Sequence, residues 1–506
     1  MICIVTGVTR FREQAFVPVL LFICAVVSIV SSLGAPLIPR LAERLHTSVG
    51  SAQWALTATV LVAAVASPLV GRLGDGRHRK RIMLINLAAV VLGGALAAIA
   101  TTLPVLIVGR AFQGLGLALM PLAMAAARES LPVERAGRVI ASLSVVAAAG
   151  VGLGYPITGL IADHGGVAVA YWVGTAVSAL ALALAWLVVP APADVGTAHS
   201  IDLPGAGIIG VGLVSLLVAL DKGADWGWGS VGVLGMIAVG LLLLAAWALY
   251  ELKTAEPLVD LRLVRRRPVL TANVSGLLLG VVMYISMVVI TEFVQLPGFG
   301  LGESVFVAGL TLLPLSVLSA SVSRTLPWMS ARIGLRPVIP FGALMVSSSS
   351  LFFAFGHAQL WQVFVTTGLL GIGLGYTFAA MPGLIVAAVP AEETSSAMGF
   401  YQVSRYIGFA IGSGLAVTLL RAFGDRGVPT LGSYQATALV AAGLGVLTAI
   451  VAWLLPGSQA TARGSGDLDA FEVEEGMLAA AGLEDLEVVP GRATTSESSG
   501  RAQSRV

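Results

Sequence analysis

Fourteen apolar runs follow one another along the chain, each close to the ~20 residues a helix needs to cross a bilayer. The first six occupy about residues 15–37, 52–72, 82–101, 104–126, 138–161 and 168–189. Two more lie at about 204–220 and 230–250. The last six lie at about 269–294, 304–325, 337–356, 361–388, 397–420 and 435–455. The polar residues between them are confined to short connections, with no room for a separate soluble domain. The pattern predicts an all-α membrane protein with 14 transmembrane helices.

Composition agrees. Of 506 residues, 57% are hydrophobic and only 11% charged, against roughly 25% charged in a soluble domain. The net charge of +2 hides a segregation. Beyond Pro456 there are nine acids and four arginines, so the basic excess belongs to the loops of the body. Cationic loops stay on the cytoplasmic side of a membrane. With the amino terminus inside, the inside loops hold eighteen Lys and Arg and the outside loops five. An even number of spans then puts both termini in the cytoplasm of a multi-pass protein of the cell membrane. Basic clusters bounded by apolar runs do not read as a nucleic-acid surface. Cys3 and Cys24 offer no disulfide framework. The run after Arg10 and Arg12 is too long for a signal h-region and lacks an A-x-A site, so it reads as an uncleaved first span.

The chain echoes itself. Pro132-Val133-Glu134 precedes span 5 and Pro390-Ala391-Glu392 precedes span 13. At the same offset Gly150 matches Gly408 and Gly154 matches Gly412. The echo divides the chain into a six-helix bundle at 1–190, two additional spans with linkers at 191–260, a second six-helix bundle at 261–456 and an acidic tail at 457–506. Related halves with a site between them are a transporter architecture. The tail is rich in Ser, Gly, Glu and Asp, and that composition cannot bury a core. Truncation after Pro456 is expected to leave both membrane insertion and transport intact. Loss of inserted protein would show that the tail stabilises the bundle.

Polar residues inside or beside the apolar runs are the candidate chemistry. Gly71-Arg72-Leu73-Gly74-Asp75-Gly76-Arg77-His78-Arg79-Lys80-Arg81 has five fixed positive charges and a single acid within a glycine framework. Asp75 is costly near a membrane unless paired, and Arg79, Arg138 or a helix end could pair with it. A plain topogenic loop would need the arginines but not Asp75. Arg110 lies well inside span 4, where an arginine costs about 2.5–3.5 kcal/mol at the centre of a span. Arg110, Gln113 and Gly114 fall on one helix face, and the alternative is that Arg110 snorkels to the interface. In span 5, Gly150, Gly152, Gly154 and Gly159 allow close helix approach, and Pro156 after Tyr155 bends the helix. Span 13 carries a second buried cation, Arg405, one turn after Gln402. Glu292 is the most embedded carboxylate by sequence. It reads either as a proton-coupling acid or as an ordinary interfacial one. Met283, Tyr284, Tyr376 and Phe378 are the candidate cavity side chains. Trp54, Trp172, Trp226 and Trp228, near span ends, read as interfacial anchors. No metal or nucleotide signature is present, so no cofactor is expected.

Three of these stretches resemble motifs of the major facilitator superfamily. The basic loop resembles its Gly-x-Leu-Gly-Asp-basic-x-Gly-Arg-basic loop, with Gly76 and His78 departing from it. Arg110-Ala111-Phe112-Gln113-Gly114 resembles its Arg-x-x-Gln-Gly motif. Span 5 resembles its antiporter motif, with Tyr155-Pro156 in place of Gly-Pro and Leu160 in place of the second terminal Gly. Asp202-Leu203-Pro204-Gly205, Trp226-Gly227-Trp228 and Pro257-Leu258-Val259-Asp260-Leu261-Arg262 look like the fourteen-span drug:proton antiporter branch. The resemblance covers about residues 15–455. It implies the major-facilitator fold, two six-helix bundles plus two extra central spans. It also implies export of small, lipophilic or cationic compounds in exchange for protons by a single chain in the lipid bilayer. Gly71, Gly74, Asp75 and Arg79 would latch the cytoplasmic side. Arg110, Gln113, Arg405 and Glu292 would handle protons or line the cavity. Gly150, Gly154, Tyr155, Pro156 and Gly159 would form the hinge. Such a machine is not an enzyme and needs no ATP site. Two other readings stay open: a metabolite importer or uniporter of the same fold, and a non-transporting membrane sensor or scaffold.

Overall fold

The computed structural model describes residues 2–33, 37–47, 49–74, 78–190, 202–254, 257–334, 337–426 and 428–455. Asp75, the linker at 191–201 and the acidic tail therefore lie outside the described residues. Where backbone is described it is helical almost throughout, as lipid demands. No water in the bilayer core can satisfy N–H and C=O groups, so the helix must do it internally.

The helices follow the apolar runs. Ile2–Ser32, Val49–Gly74, Arg79–Ile99 and the pair Leu103–Leu117 and Leu119–Ser130 give spans 1 to 4. Val133–Val188 gives spans 5 and 6, parted at Gly166, whose φ of +78° suits glycine. Leu203–Trp226 and Val231–Glu251 are spans 7 and 8, and Arg267–Gln295 is span 9. Span 10 is interrupted: Val305–Leu310 and Leu313–Ser323 are followed by the short helix Leu326–Ile333. Pro314 and Pro327 stand at the starts of the second and third pieces, where a missing N–H costs nothing. Val338–Phe355, Leu360–Ala388, Thr394–Ala422 and Leu431–Leu454 are spans 11 to 14. Among the described residues, thirteen helices are long and apolar enough to cross a membrane. Counting the bent pair Arg135–Ala147 and Gly152–Ala162 of span 5 as one more gives fourteen.

Small residues decide where helices meet. Span 1 packs along span 5, and a Cβ at Gly150 would lie 2.7 Å from Ser28. Span 9 packs along span 13 in the same way. A Cβ at Gly408 would lie 2.2 Å from the Leu277 carbonyl, and one at Gly412 2.5 Å from that of Val281. Gly150 and Gly408, which echo each other in sequence, thus serve equivalent contacts, first span against fifth. Gly408→Val is expected to destabilise the fold by about 1–3 kcal/mol, since the added atoms strike backbone that cannot rotate away. A lower melting temperature in detergent at unchanged expression would show it, and an unchanged melt would mean that the helices can part.

Spans 7 and 8 pair with each other, and span 7 lies across the line where span 2 meets span 13. Ile209, Leu213 and Leu217 form one buried cluster with Ala63 and Ala64 of span 2 and Val403 and Tyr406 of span 13. Near the other end, Trp228 Nε1 donates to Thr418 at 2.7 Å. The Lys222 ammonium sits 5.1 Å from the centre of the Trp54 ring. Trp54 and Trp228 therefore hold internal contacts beyond the interfacial anchoring expected of them. Trp172 and Trp226 are about half exposed, as anchors would be.

Candidate functional site

The two sets of six spans touch at a seam of glycines and charges at the end that carries the basic loop. A Cβ at Gly71 would lie 2.6 Å from the Ser395 carbonyl, and one at Gly399 2.6 Å from that of Ser67. Span 2 and span 13 thus run backbone against backbone. Gly74 is closed in by Leu122 and by Ser395 Oγ. Arg72, 5% exposed, places Nη1 2.9 and 3.1 Å from the two carboxylate oxygens of Glu393 at the foot of span 13. Arg128 at the end of span 4 donates to the carbonyls of Val389, at 2.9 Å, and Pro390, at 3.0 Å, and to the Thr394 hydroxyl.

Of the four positions expected to form a latch, Gly71 and Gly74 stand at this seam. Arg79 does not reach it. Its Nε donates to the Gly74 carbonyl at 2.7 Å and its Nη1 to Glu129, so it ties spans 2, 3 and 4 to one another. Asp75 falls outside the described residues. Among the described residues, the charged groups that cross the seam are Arg72, Arg128 and Glu393. The sequence marks the first two only as topogenic charges. A signal was available for the third: Glu392 and Glu393 are the acids of the loop that echoes the foot of span 5.

Arg110 is 0% exposed, which excludes snorkelling. Span 1 ends beside it, and the last carbonyls of a helix lack the regular intrahelical partner. Arg110 adds to what the chain itself offers: Nη1 donates to Val30 O at 3.1 Å, which also accepts from the Leu33 N–H at 3.3 Å, and Nη2 donates to Ser31 O at 2.7 Å. The negative end of the span 1 dipole accommodates the cation. Nη1 also donates to Gln113 Oε1 at 2.7 Å, the i, i+3 pair expected of one helix face. Across from it, the Thr59 hydroxyl of span 2 donates to the Arg110 carbonyl at 3.1 Å. No carboxylate neutralises Arg110 among the described residues. Its Nε, the Gln113 amide nitrogen and the Tyr171 hydroxyl are buried without partners.

Arg405 is clipped in the same manner, Nη1 donating to Gln402 Oε1 at 2.9 Å. Its guanidinium carbon lies 4.2, 5.5 and 5.8 Å from the ring centres of Phe378, Phe409 and Tyr401. An arginine favours such ring faces once desolvated. Phe409 stacks in turn on Tyr284, with centres 4.9 Å apart. Tyr284 and Phe378, expected in a cavity, therefore gather around Arg405, and Met283 is buried beside Tyr284. Tyr376 does not join them. Two residues along a helix is about 200° of rotation, so Tyr376 faces away from Phe378. Its hydroxyl lies 2.9 Å from that of Thr325, and its ring packs against Phe341. Glu292 is also remote. It lies about 18 Å along span 9 from Gly280 at 1.5 Å per residue, and the Arg405 carbonyl lies against Gly280. Glu292 is exposed, and the Tyr434 hydroxyl donates to it at 3.4 Å.

Span 5 bends by 43° between Ala147 and Gly152. Pro156, whose ring opposes the carbonyl four residues earlier, lies one turn beyond the bend. Span 10 presses into it: Ser316 Oγ donates to the Ala149 carbonyl at 2.8 Å. A Cβ at Gly309 would lie 3.2 Å from the Pro156 nitrogen. Gly159 faces Phe306, and Tyr155 is half-buried. The expected hinge residues thus sit on a bent helix that meets span 10. Gly154 is buried on the same helix.

Paired helical halves, two arginines buried without an acid partner among the described residues and a bent span where the halves meet define a polytopic membrane transporter. The chain belongs to the Major Facilitator Superfamily, whose family model matches residues 20–330 and 325–476. The match runs past the last apolar run, further than the motif resemblance at about 455. The tetracenomycin C resistance and export protein of Streptomyces glaucescens is 27% identical over 422 residues, 79% of this chain and 76% of that protein. The multidrug resistance protein Stp of Mycobacterium tuberculosis is 28% identical over 375 residues, 73% of this chain and 69% of that protein. Among solved structures, the human organic anion transporter MFSD10 (TETRAN) superposes with a TM-score of 0.60 at 16% identity, covering 87% of this chain and 99% of that one. That likeness concerns the fold: two six-helix bundles with, here, two further spans between them.

Proposed function

We propose that this transporter exports small, lipophilic or cationic drug-like compounds in exchange for protons, and that the basic end of the bundle faces the cytoplasm. The observation that carries the proposal is the seam at that end. Arg72–Glu393 and the Arg128 bonds join the two halves over the closely packed glycines of spans 2 and 13. Such bonds can exist in one state of an alternating-access cycle and be absent from the other. The bend in span 5 provides the place where the halves pivot. The aromatic rings around Arg405 suit flat apolar compounds. Relatives named for resistance and export point the same way, as does the antiporter-like motif of span 5. Asp75 belongs to the latch on resemblance, Arg110 and Gln113 are the proton-handling pair, and Glu292 is an interfacial acid.

Cells expressing the protein should hold less of a lipophilic cationic dye at steady state than cells expressing Arg110→Ala, and a protonophore should erase the difference. A difference that survives the protonophore would remove the proton from the mechanism. Higher dye in the expressing cells would favour import.

A further inference from the structure

The two extra spans hold a buried pair of carboxylates. Asp202 caps span 7: its Oδ1 accepts from the Gly205 N–H at 2.9 Å and from the Tyr250 hydroxyl at 3.0 Å. Glu251 ends span 8, and its Oε1 accepts from the Val259 N–H at 2.7 Å. The two residues are 8% and 2% exposed. The second oxygen of each, Asp202 Oδ2 and Glu251 Oε2, is buried without a hydrogen-bond partner. These two free oxygens converge on one spot. A Cβ on Gly205 would lie 2.0 Å from Asp202 Oδ2 and 3.2 Å from Glu251 Oε2. Among the described residues neither carboxylate has a Lys or Arg partner. Arg262 turns instead to the Leu252 carbonyl, and Asp260 to the Arg262 N–H.

A like charge in the same buried site disfavours ionisation of both carboxylates at once when no cation lies between them. One proton removes the conflict, because the repelling pair becomes an O–H···O⁻ hydrogen bond of the strong, charge-assisted kind. A metal ion is a poorer solution. Hard cations take six or more oxygen ligands, and here N–H and O–H donors already occupy the other two carboxylate oxygens. We propose that Asp202 and Glu251 share one proton and form a proton-binding site at the root of the extra hairpin.

The site is wired to the seam. Glu251 holds Val259, which with Leu258 packs into the cluster that contains Ala63, Ala64 and Val403. The Leu258 carbonyl accepts from Ser396 Oγ of span 13 at 2.8 Å, next to the Ser395 that faces Gly71. Proton loss would loosen the loop on which spans 2 and 13 close.

The test is pH-difference infrared spectroscopy on the purified full-length protein in lipid without substrate, so its outcome does not depend on the export proposal. At pH 7 the protein should show the C=O stretch of a protonated carboxylic acid. That band should disappear in Glu251→Gln and in Asp202→Asn, because each amide can donate an N–H to the remaining carboxylate and keep the geometry. Folding of each variant is checked by gel filtration, and the two singles serve as substitutes for each other if one fails to fold. A band of full wild-type amplitude in a folded variant would overturn the proposal. So would a carboxylate shift on adding Mg²⁺ or Na⁺ that is seen in the wild type and absent from the variants, since the occupant would then be a metal cation.

Discussion

Arg110→Ala is expected to abolish coupled transport, with a loss of about a hundredfold or more and normal insertion in the membrane. The guanidinium serves three acceptors at once, the Val30 and Ser31 carbonyls and Gln113. Hydrogen bonds to charged groups are worth about 1.5–3 kcal/mol each, and ~3 kcal/mol lost corresponds to roughly a hundredfold. The fold should survive, because the lesion is confined to the end of span 1 and removes a buried charge together with its bonds. Arg110→Lys should recover little. An ammonium carries its three donors on one nitrogen and so cannot reach acceptors set apart as the planar fork does, and it can lose its proton when desolvated. Efflux in Arg110→Ala and Arg110→Lys at matched protein levels checks this. Full activity in the lysine variant across pH 6 to 8 would reduce Arg110 to a helix cap.

The second large effect is expected at the seam. Arg72→Gln and Glu393→Gln should each lower transport about thirtyfold, corresponding to ~2 kcal/mol of bias between two conformations. Removing one partner of a buried ion pair leaves the other charge uncompensated, which costs about 3–5 kcal/mol when burial is complete. Glu393, at 22% exposed, keeps some contact with solvent, so the lower figure is used. The double variant should be no worse than the worse single, because both changes remove the same interaction. Losses that simply multiply would show that the two residues act separately and do not latch the halves.

Much of the fold is legible in the sequence because lipid leaves the chain few choices. An apolar run of the right length must be a helix, and the helices follow the runs even where a proline breaks span 10 or bends span 5. The glycine echo is legible for a similar reason, since only small residues let helices touch, and Gly150 and Gly408 make equivalent contacts. Partners distant in sequence are not legible. Arg72 and Glu393 are 321 positions apart, and only the folded bundle shows that Arg79 stays within the first six spans while Arg72 and Arg128 cross to the last six. Asp202 opens the hairpin and Glu251 closes it 49 positions later, so they meet at one end only once the two spans pair, and their free oxygens gain meaning only once both are seen to be buried. Tyr376 is a different case. Its two-residue spacing from Phe378 already places the two side chains on different faces of one helix, so helical geometry alone separates them.

The central claim is outward movement of a small lipophilic compound against a proton flux, and inverted membrane vesicles test it most directly. With the lumen acidified, a lipophilic cationic dye should accumulate in vesicles carrying the protein, leave when the pH gradient is collapsed, and fail to accumulate with Arg110→Ala. Dye levels equal to those of vesicles lacking the protein, or accumulation that persists without the gradient, would contradict the account.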